Sequence, residues 1–290
     1  MVVNQTPRVL VLGASGMLGS VVAAELSGKG YAVVAASRQP VPLPRAVTVL
    51  PIGDLATDAE PARAMDVAAP DAVVNCAGWI KQREADPAVT IAVNALLPHR
   101  LAALCRRRGA RLIQISTDCV FSGAVASRRG RCGYRESDAA DADDCYGLSK
   151  RLGEVTGPGC LTLRMSLIGR EPSGSRRGLV EWFLAAPAPL RGFSQARFSG
   201  MTATVGARLI AQLLREPDMQ GLWHAAAEPI SKFELLRAMA ARVRPGLVIE
   251  AVPEPVVDRR LDATALATRT GWVAPSWPHM LDELLGGVRR

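Results

Sequence analysis

Three glycines placed directly after an apolar stretch constrain this chain more than any other feature of its sequence. The stretch Arg8–Leu12 (RVLVL) predicts a buried strand, and Gly13, Gly16 and Gly19 follow it in a GxxGxxG spacing. A helical pattern opens inside this segment and runs over Met17–Leu26. The first N–H groups of a helix have no partner in the helix and carry partial positive charge, so such a turn favours a pyrophosphate over the alternative of a bare tight turn. The residues expected to contact a dinucleotide here are Gly13, Ser15, Gly16, Met17, Leu18 and Gly19.

Short apolar runs alternate with helical patterns through the first half of the chain. Further strands are predicted at Ala32–Ala36, Val47–Leu50, Ala72–Asn75, Arg111–Ser116 and Leu161–Arg164, with helices at Ala59–Ala68, Ile91–Arg108 and Cys145–Val155. This alternation is typical of an α/β, Rossmann-like, doubly wound parallel sheet. Prolines and glycines then interrupt the pattern, and helices are predicted at Ala203–Leu214, Ser231–Val243 and Met280–Leu285. We predict a nucleotide-binding domain over 1–164 and a smaller, irregular substrate-binding part over 165–290, with segments such as 201–225 packing back on the first.

Composition narrows the class of protein. Of the 290 residues, 49% are hydrophobic and 21% charged, which is enough for a large core and excludes a mainly disordered chain. The net charge of +8 favours anionic ligands, but the arginines are scattered and only 4% of residues are aromatic, so we predict no nucleic-acid partner. The six cysteines form no CxxC pair, which predicts a reducing, cytoplasmic location and no metal site. We find no run of about 18 apolar residues and therefore predict no membrane span. The sequence leaves open whether the protein is a homodimer.

The end of the second strand bears on the choice of cofactor. An acidic residue there bonds the ribose of NAD, whereas an arginine accommodates the 2′-phosphate of NADP. This chain has Ser37 and Arg38 and no carboxylate at that point, which favours NADPH over NADH unless Arg38 simply faces solvent. Asp54, followed by Leu55 after the third strand, is expected either to cap a turn or to face the adenine, and we favour the adenine slightly.

A tyrosine and a lysine stand four positions apart in Tyr146-Gly147-Leu148-Ser149-Lys150, so a helix places them on one face. A phenol is a poor acid or base at neutral pH, and a neighbouring cation is expected to lower its pKa. Thr117 stands at the carboxyl end of the fifth predicted strand, where open α/β sheets bind ligands, and its hydroxyl can bond a reacting oxygen. Together these residues predict proton exchange with a carbonyl or an alcohol.

The motifs as a set resemble the extended short-chain dehydrogenase/reductases, and among them the dTDP-4-dehydrorhamnose reductase-like sugar-nucleotide reductases. The resemblance rests on the glycine turn, Asn75-Cys76-Ala77-Gly78, the STDxVFxG stretch Ser116–Gly123 and the YGxSKxxGE stretch Tyr146–Glu154. It covers residues 8 to about 170 well and the C-terminal third loosely. It implies that Tyr146 is the general acid, that Lys150 holds the nicotinamide ribose and tunes Tyr146, and that Thr117 orients the carbonyl. It further implies that the cofactor is lined by Asn75, Ala77, Gly78 and Asn94.

Two departures from the family pattern bear on the reaction. Asp118 is followed by Cys119 and not by a second acid, which disfavours sugar-nucleotide dehydration. Cys119 occupies the place of the cysteine in epimerase/reductases that form GDP-fucose, and a thiol with a lowered pKa can remove an α-proton. Those enzymes pair it with a histidine that has no counterpart between Arg164 and Gly200. A buried, inert thiol is therefore the favoured role for Cys119.

The substrate-binding residues are the least constrained part of the prediction. Trp79 and Lys81 follow the fourth strand in place of the small residues of rhamnose-pathway reductases, which leaves a UDP-linked amino sugar open. Asp118, Cys119, Arg164 and Arg191 are the other candidates, the arginines as a bidentate clamp on a diphosphate. His224, on a predicted strand, is expected to be a packed core residue.

The reading that fits these features is NADPH-dependent reduction of the 4-keto group of a nucleotide-diphospho-6-deoxysugar. The alternatives are an epimerase/reductase acting on a UDP- or GDP-linked keto sugar, and a non-catalytic NADP-binding regulatory subunit. Relatives that lose catalysis typically lack the tyrosine or the lysine, and this chain keeps both.

Overall fold

A seven-stranded parallel sheet forms the centre of the computed structural model, which describes residues 6–80, 86–124, 133–172 and 178–287. The strands are β1 Arg8–Leu12, β2 Ala32–Ser37, β3 Thr48–Pro51, β4 Ala72–Asn75, β5 Arg111–Thr117, β6 Cys160–Met165, β7 Leu167–Ile168, β8 Leu190–Phe193, β9 Ala196–Phe198, β10 Met201–Thr202, β11 Gly221–His224, β12 Ile230–Ser231, β13 Ile249–Val252 and β14 Val257–Asp258. The order across the sheet is β11-β6-β5-β4-β1-β2-β3. The order reverses between β1 and β4, and ligands bind beyond the carboxyl ends of strands at such a point.

Helices cover both faces of this sheet, which confirms the α/β fold class. They are α1 Met17–Gly28, α2 Ala59–Ala68, α3 Pro87–Ile91, α4 Leu97–Arg108, α5 Cys145–Leu152, α6 Leu179–Ala185, α7 Ala203–Leu213, α8 Lys232–Val243, α9 Thr264–Thr270 and α10 Trp277–Leu285. A π-helical turn, Ala92–Leu96, joins α3 to α4. Two large apolar clusters, one on each face, bury β1 and β4 from both sides.

Three predicted helix boundaries differ from the structure by three residues or more. The helical stretch predicted from Ile91 begins at Pro87, where Asp86 is the N-cap. Helix α5 ends at Leu152, three residues before the predicted end at Val155, because Gly153 caps its last turn. Helix α10 begins at Trp277 and not at Met280, because Ser276 precedes it as the N-cap and Pro278 suits its first turn. The helix boundaries predicted at Ala59 and Ala68 are confirmed.

Residues after Arg164 contribute to the central sheet as well as to smaller ones. Strand β11 pairs with β6 in parallel register, Gly221 opposite Leu161 and His224 opposite Arg164. Helix α7 packs on α1. The remaining strands form the small sheets β12-β9-β14, β13-β8 and β10-β7. A small apolar cluster that includes Phe121, Tyr134 and Leu261 joins these sheets to the turn after β5.

One helical stretch in the described part of the chain, Pro87–Arg108, is long and apolar enough to cross a membrane by length and composition. Half of its most apolar window is buried inside the protein. Leu97, Leu101 and Leu104 on its inner face belong to one of the two large apolar clusters. This burial is the pattern of a helix that packs against a sheet.

Candidate active site

The turn between β1 and α1 is closed by backbone contacts that exclude side chains. Gly13 has a φ of +76°, and a Cβ built on it would lie 2.7 Å from the backbone N of Ala77. A Cβ on Gly19 would lie 2.3 Å from the carbonyl oxygen of Gly13. Among the described residues, α1 begins after Gly16 without a side-chain cap and without an acidic residue in its first turn. The turn, including half-buried Ser15 and Met17, can therefore hold a pyrophosphate.

The ends of β2 and β3 hold the residues expected near the adenosine. Ser37 is buried, and its hydroxyl donates to a backbone carbonyl two residues on, at 2.6 Å. Arg38 is exposed next to it. Asp54 accepts a backbone N–H two residues on at 2.9 Å, which caps a turn, and Leu55 packs in the core beneath the sheet. A contact between Asp54 and adenine stays a prediction.

Asn75 fixes the loop that follows β4. It is fully buried, and its Nδ2 donates to Gln114 Oε1 on the neighbouring strand at 2.7 Å. Its Oδ1 accepts from the backbone N of Ala77 at 3.2 Å. Asn75 therefore holds Ala77 where the loop passes the glycine turn.

Asn94 fixes the same loop further along the chain. It lies in the π-helical turn, a feature that frequently marks functional sites. Its Oδ1 accepts from the backbone N of Trp79 at 2.8 Å, and its Nδ2 donates to the Trp79 carbonyl at 2.9 Å. A Cβ on Gly78 would lie 3.5 Å from Asn94 Oδ1 and 3.9 Å from Lys150 Nζ. The loop expected to line the cofactor therefore runs beside Lys150.

Thr117, Tyr146 and Lys150 come together at the carboxyl edge of the sheet. Thr117 is the last residue of β5, and the tyrosine and lysine lie one turn apart on α5. The Thr117 side chain lies close enough to the Tyr146 phenol to influence its pKa, and its Oγ1 donates to Asp118 Oδ1 at 3.2 Å. Lys150 is buried, and its Nζ donates to the carbonyl of Ile115 at 2.6 Å. The structure thus places a hydroxyl, a phenol and an ammonium beside one another.

The pKa of Tyr146 lies above its usual range and not below it, as the neighbouring Lys150 led us to expect. Withdrawal from water raises the pKa of the Tyr146 phenol above its usual range, and nearby Cys119 raises it further. The nearby Thr117 side chain opposes this shift without reversing it. The phenol therefore keeps its proton at neutral pH, which suits a proton donor better than a base.

Asp118 and Cys119 form the turn that follows Thr117. Burial raises the pKa of Asp118, while nearby Lys232 and Arg259 oppose that rise. Burial also raises the pKa of Cys119 to about 12, although Arg259 Nη1 lies 3.8 Å from its Sγ. A thiol with such a pKa is protonated and removes protons poorly. The surroundings of Cys119 therefore do not favour the epimerase alternative.

The structure does not bring Arg164 to the substrate side, and the expected diphosphate contact is corrected. Arg164 is 4% exposed, and its Nε and Nη2 donate to the two carboxylate oxygens of Glu154, each at 2.7 Å. Its Nη1 lies 3.2 Å from Nε2 of His224. The guanidinium is thus engaged inside the protein. His224 is fully buried, which confirms its expected place in the core.

The other substrate candidates lie in different surroundings. Trp79 is half-buried beside Asn94. Arg191 is on the exposed side of β8, opposite Glu250 of β13. Lys81 lies outside the described residues.

Sequence reasoning missed two cations near the turn formed by Asp118 and Cys119. Lys232 is the first residue of α8, and its Nζ lies 3.6 Å from the centre of the Phe198 ring. Arg259 follows β14, and its Nε donates to the Phe121 carbonyl at 2.8 Å. Within residues 6–80, 86–124, 133–172 and 178–287, neither cation forms an ion pair within 4.0 Å. Both place positive charge near Asp118. Each lies more than 100 positions after Asp118 in the chain, so no local sequence pattern reveals them.

The strand order and the place of the YxxxK pair on the helix after β5 are those of the extended short-chain dehydrogenase/reductases, the class this fold and site define. Within that class, the chain belongs to the RmlD substrate binding domain family, whose model matches residues 7–286.

Two relatives of this chain are named as reductases. It is 39% identical over 150 residues to a dTDP-4-dehydrorhamnose reductase of Streptomyces griseus, a match that covers 51% of this chain and 44% of that protein. It is 31% identical over 234 residues to a probable low-salt glycan biosynthesis reductase of Haloferax volcanii, covering 75% and 74%. The match to the Streptomyces protein therefore spans less than half of that relative.

A solved structure shares the whole fold. The dTDP-4-dehydrorhamnose reductase of Bacillus anthracis, crystallised in complex with NADP, superposes with a TM-score of 0.81 at 19% identity. The match covers 97% of this chain and 99% of that one. The central sheet and the small sheets of the C-terminal part are thus the fold of a known reductase.

Proposed function

We propose that this protein reduces the 4-keto group of a nucleotide-diphospho-6-deoxysugar with NADPH. The observation that carries the proposal is the meeting of Thr117, Tyr146 and Lys150 at the edge of the sheet onto which the glycine turn opens. The dTDP-4-dehydrorhamnose reductase name of the Streptomyces griseus relative supports the substrate class. The NADP in the Bacillus anthracis enzyme supports the cofactor.

Each residue of the site has a defined task in this reduction. NADPH, when bound, supplies the hydride that adds to the carbonyl carbon. Tyr146 donates its phenolic proton to the carbonyl oxygen, and Thr117 orients that oxygen by a hydrogen bond. Lys150 holds the nicotinamide ribose through its ammonium. The unpartnered N–H groups at the start of α1 bind the pyrophosphate of the dinucleotide.

The choice of NADPH over NADH depends on Arg38 in this proposal. An exposed guanidinium at the end of β2 pairs with the 2′-phosphate that NADH lacks. We expect Arg38→Asp to lower the preference for NADPH over NADH by about 10-fold or more, since a charged hydrogen bond is worth about 1.5–3 kcal/mol. The ratio of kcat/KM for the two cofactors measures this. Arg215→Asp, the same charge change after α7, is the control, and an unchanged ratio in Arg38→Asp contradicts the role.

Lys232 and Arg259, in the substrate-binding part over residues 165–290, are proposed to neutralise the diphosphate of the substrate. The two cations together carry more charge than the nearby Asp118 carboxylate. We expect Lys232→Met to raise KM for the sugar nucleotide about 10-fold, since it removes one charged contact, and to leave NADPH affinity unchanged. Lys29→Met, on the far end of α1, is the matched control. A KM equal to that of the unmodified protein contradicts the assignment.

The proposed reaction is tested by NADPH oxidation against dTDP-, UDP- and GDP-linked 4-keto-6-deoxysugars, followed by absorbance at the nicotinamide band. Turnover with one of them supports the proposal. NADPH binding without turnover on the whole panel supports the regulatory-subunit alternative. Running the reaction in D₂O separates the epimerase alternative, because only removal of an α-proton places solvent deuterium at C3 or C5 of the sugar.

The proposal includes a cytoplasmic location. Five cysteines in the described part of the chain, Cys76, Cys105, Cys119, Cys145 and Cys160, are free. Free thiols are usual in reducing compartments. Fractionation of cells that express the tagged chain tests the location.

A further inference from the structure

A buried ion pair lies just beyond the C-terminal end of α5, the helix that carries Lys150. Glu154 follows α5, one turn after the lysine, and accepts both guanidinium bonds of Arg164 from β6 at 2.7 Å. The side chains of Arg164 and Glu154 are only 5% and 9% exposed. Removing one partner from such a pair leaves an uncompensated buried charge, which is strongly destabilising. The pair therefore holds the end of α5 against β6.

The same carboxylate bonds the strand that carries the catalytic threonine. The Ser116 hydroxyl donates to Glu154 Oε1 at 2.7 Å, and Ser116 directly precedes Thr117. Glu154 therefore links the end of α5 to the end of β5. These are the two elements that hold Lys150 and Thr117.

Arg164 is held in turn from the opposite side. The Nδ1 of His224 donates to the Tyr134 carbonyl at 3.0 Å, since a carbonyl only accepts, which leaves Nε2 as the acceptor for Arg164 Nη1 at 3.2 Å. Burial and the charge of nearby Arg164 together lower the pKa of His224 to about 4, so the ring is neutral near pH 7. The guanidinium also lies 5.0 Å from the centre of the Phe121 ring. The orientation of Arg164 is thus fixed by three neighbours, Glu154, His224 and Phe121.

We propose that Glu154 is a positioning residue: its carboxylate keeps the buried Lys150 protonated and holds the end of β5 that carries Thr117, while Arg164 orients Glu154. The inference rests on the proposed reduction, in which Lys150 acts as an ammonium. A carboxylate one turn away stabilises a buried cation because the interior screens charge weakly.

The groups around Lys150 set the direction of the effect. Burial lowers the pKa of Lys150 to about 8, and the Glu154 carboxylate and the Cys76 thiol from the loop after β4 oppose this. Tyr146 on the same helix is neutral because burial raises its pKa. Glu154 is thus the charged group that resists loss of the Lys150 proton. Above about pH 8 the ammonium is lost, and the site loses its cation.

The experiment is a pH titration of Lys150 by NMR on the full chain labelled with ¹³Cε-lysine. The sequence has only four lysines, so the signal is resolved and is assigned by its loss in Lys150→Arg. We expect Glu154→Gln to move the Lys150 midpoint down by about one pH unit or more. The double variant Glu154→Gln/Arg164→Gln has no orphaned guanidinium but still lacks the carboxylate, so its Lys150 midpoint should stay below that of the unmodified protein.

If Glu154 and Arg164 form a purely structural ion pair, these variants should lose thermal stability while the Lys150 midpoint stays where it is in the unmodified protein. An unchanged Lys150 midpoint in Glu154→Gln overturns the proposal, and so does a double-variant midpoint equal to that of the unmodified protein, because the shift would then come from the orphaned guanidinium. If Glu154→Gln does not fold, Ser116→Ala decides. It keeps the ion pair but removes a donor from Glu154, so the Lys150 midpoint must rise, and a midpoint that stays or falls overturns the proposal.

The titration needs neither cofactor nor substrate. Failure of NADPH oxidation on the panel of keto sugars therefore refutes the proposed reduction without touching this result. The kinetic counterpart is a pH profile in which the loss of kcat at high pH begins about one unit lower in Glu154→Gln.

Discussion

Tyr146→Phe is expected to lower kcat for ketone reduction by about 10²–10⁴-fold, the usual contribution of a positioned proton donor. The change removes the phenolic O–H beside Thr117 and keeps the aromatic ring. The carbonyl oxygen then has no acid beside it. NADPH affinity should stay close to that of the unmodified protein, because the glycine turn and Lys150 are untouched. Single-turnover rates and fluorescence titration with NADPH measure the two quantities.

Tyr31→Phe is the matched control for this substitution. Tyr31 precedes β2 and packs against the core away from α5, so its loss of a hydroxyl should leave kcat unchanged. Turnover in Tyr146→Phe equal to that of Tyr31→Phe would falsify the assignment of the proton donor.

Gly19→Ala is expected to abolish NADPH binding and to destabilise the fold. The added Cβ would lie 2.3 Å from the Gly13 carbonyl oxygen, both atoms being fixed by backbone, so α1 must shift away from the turn. Overpacking of this kind costs about 1–3 kcal/mol of unfolding free energy. The N–H groups of the first helical turn move with the helix and no longer converge on a pyrophosphate. Thermal unfolding and NADPH titration together record both effects.

Gly28→Ala, at the other end of the same helix, is the control. A Cβ there meets no atom within 4 Å among the described residues. Alanine is a better helix former, so this variant should be unchanged or more stable by up to about 1 kcal/mol. Tight NADPH binding by Gly19→Ala would mean that the dinucleotide lies elsewhere.

Local patterns predicted the parts of the site that depend on neighbours in sequence. The GxxGxxG turn follows from a strand, a sharp turn and a helix start within twelve residues, Arg8 to Gly19, and the structure has all three in place. The YxxxK pair requires only a helix over Cys145–Leu152. These features are fixed by backbone geometry, which sequence spacing reports directly.

Features that depend on burial and on distant residues escaped prediction. Arg164 appeared as a free cation because nothing in its own strand reveals Glu154, just after the preceding helix α5, or His224 on β11. The pKa of Tyr146 was expected to fall because Lys150 is close in sequence, whereas desolvation by the folded chain raises it. Lys232 and Arg259 lie near Asp118 only because the C-terminal part of the chain packs against the turn after β5.

Transfer of deuterium from the cofactor to the sugar tests the central claim most directly. The purified chain is incubated with NADPH carrying deuterium at C4 and with nucleotide-linked 4-keto-6-deoxysugars, and the products are analysed by mass spectrometry and NMR. We expect one deuterium on C4 of the newly formed alcohol. In a parallel reaction with Tyr146→Phe over the same interval, we expect no deuterium on C4 of the sugar. NADPH that binds to the intact chain but gives up no deuterium to any of these sugars would contradict it.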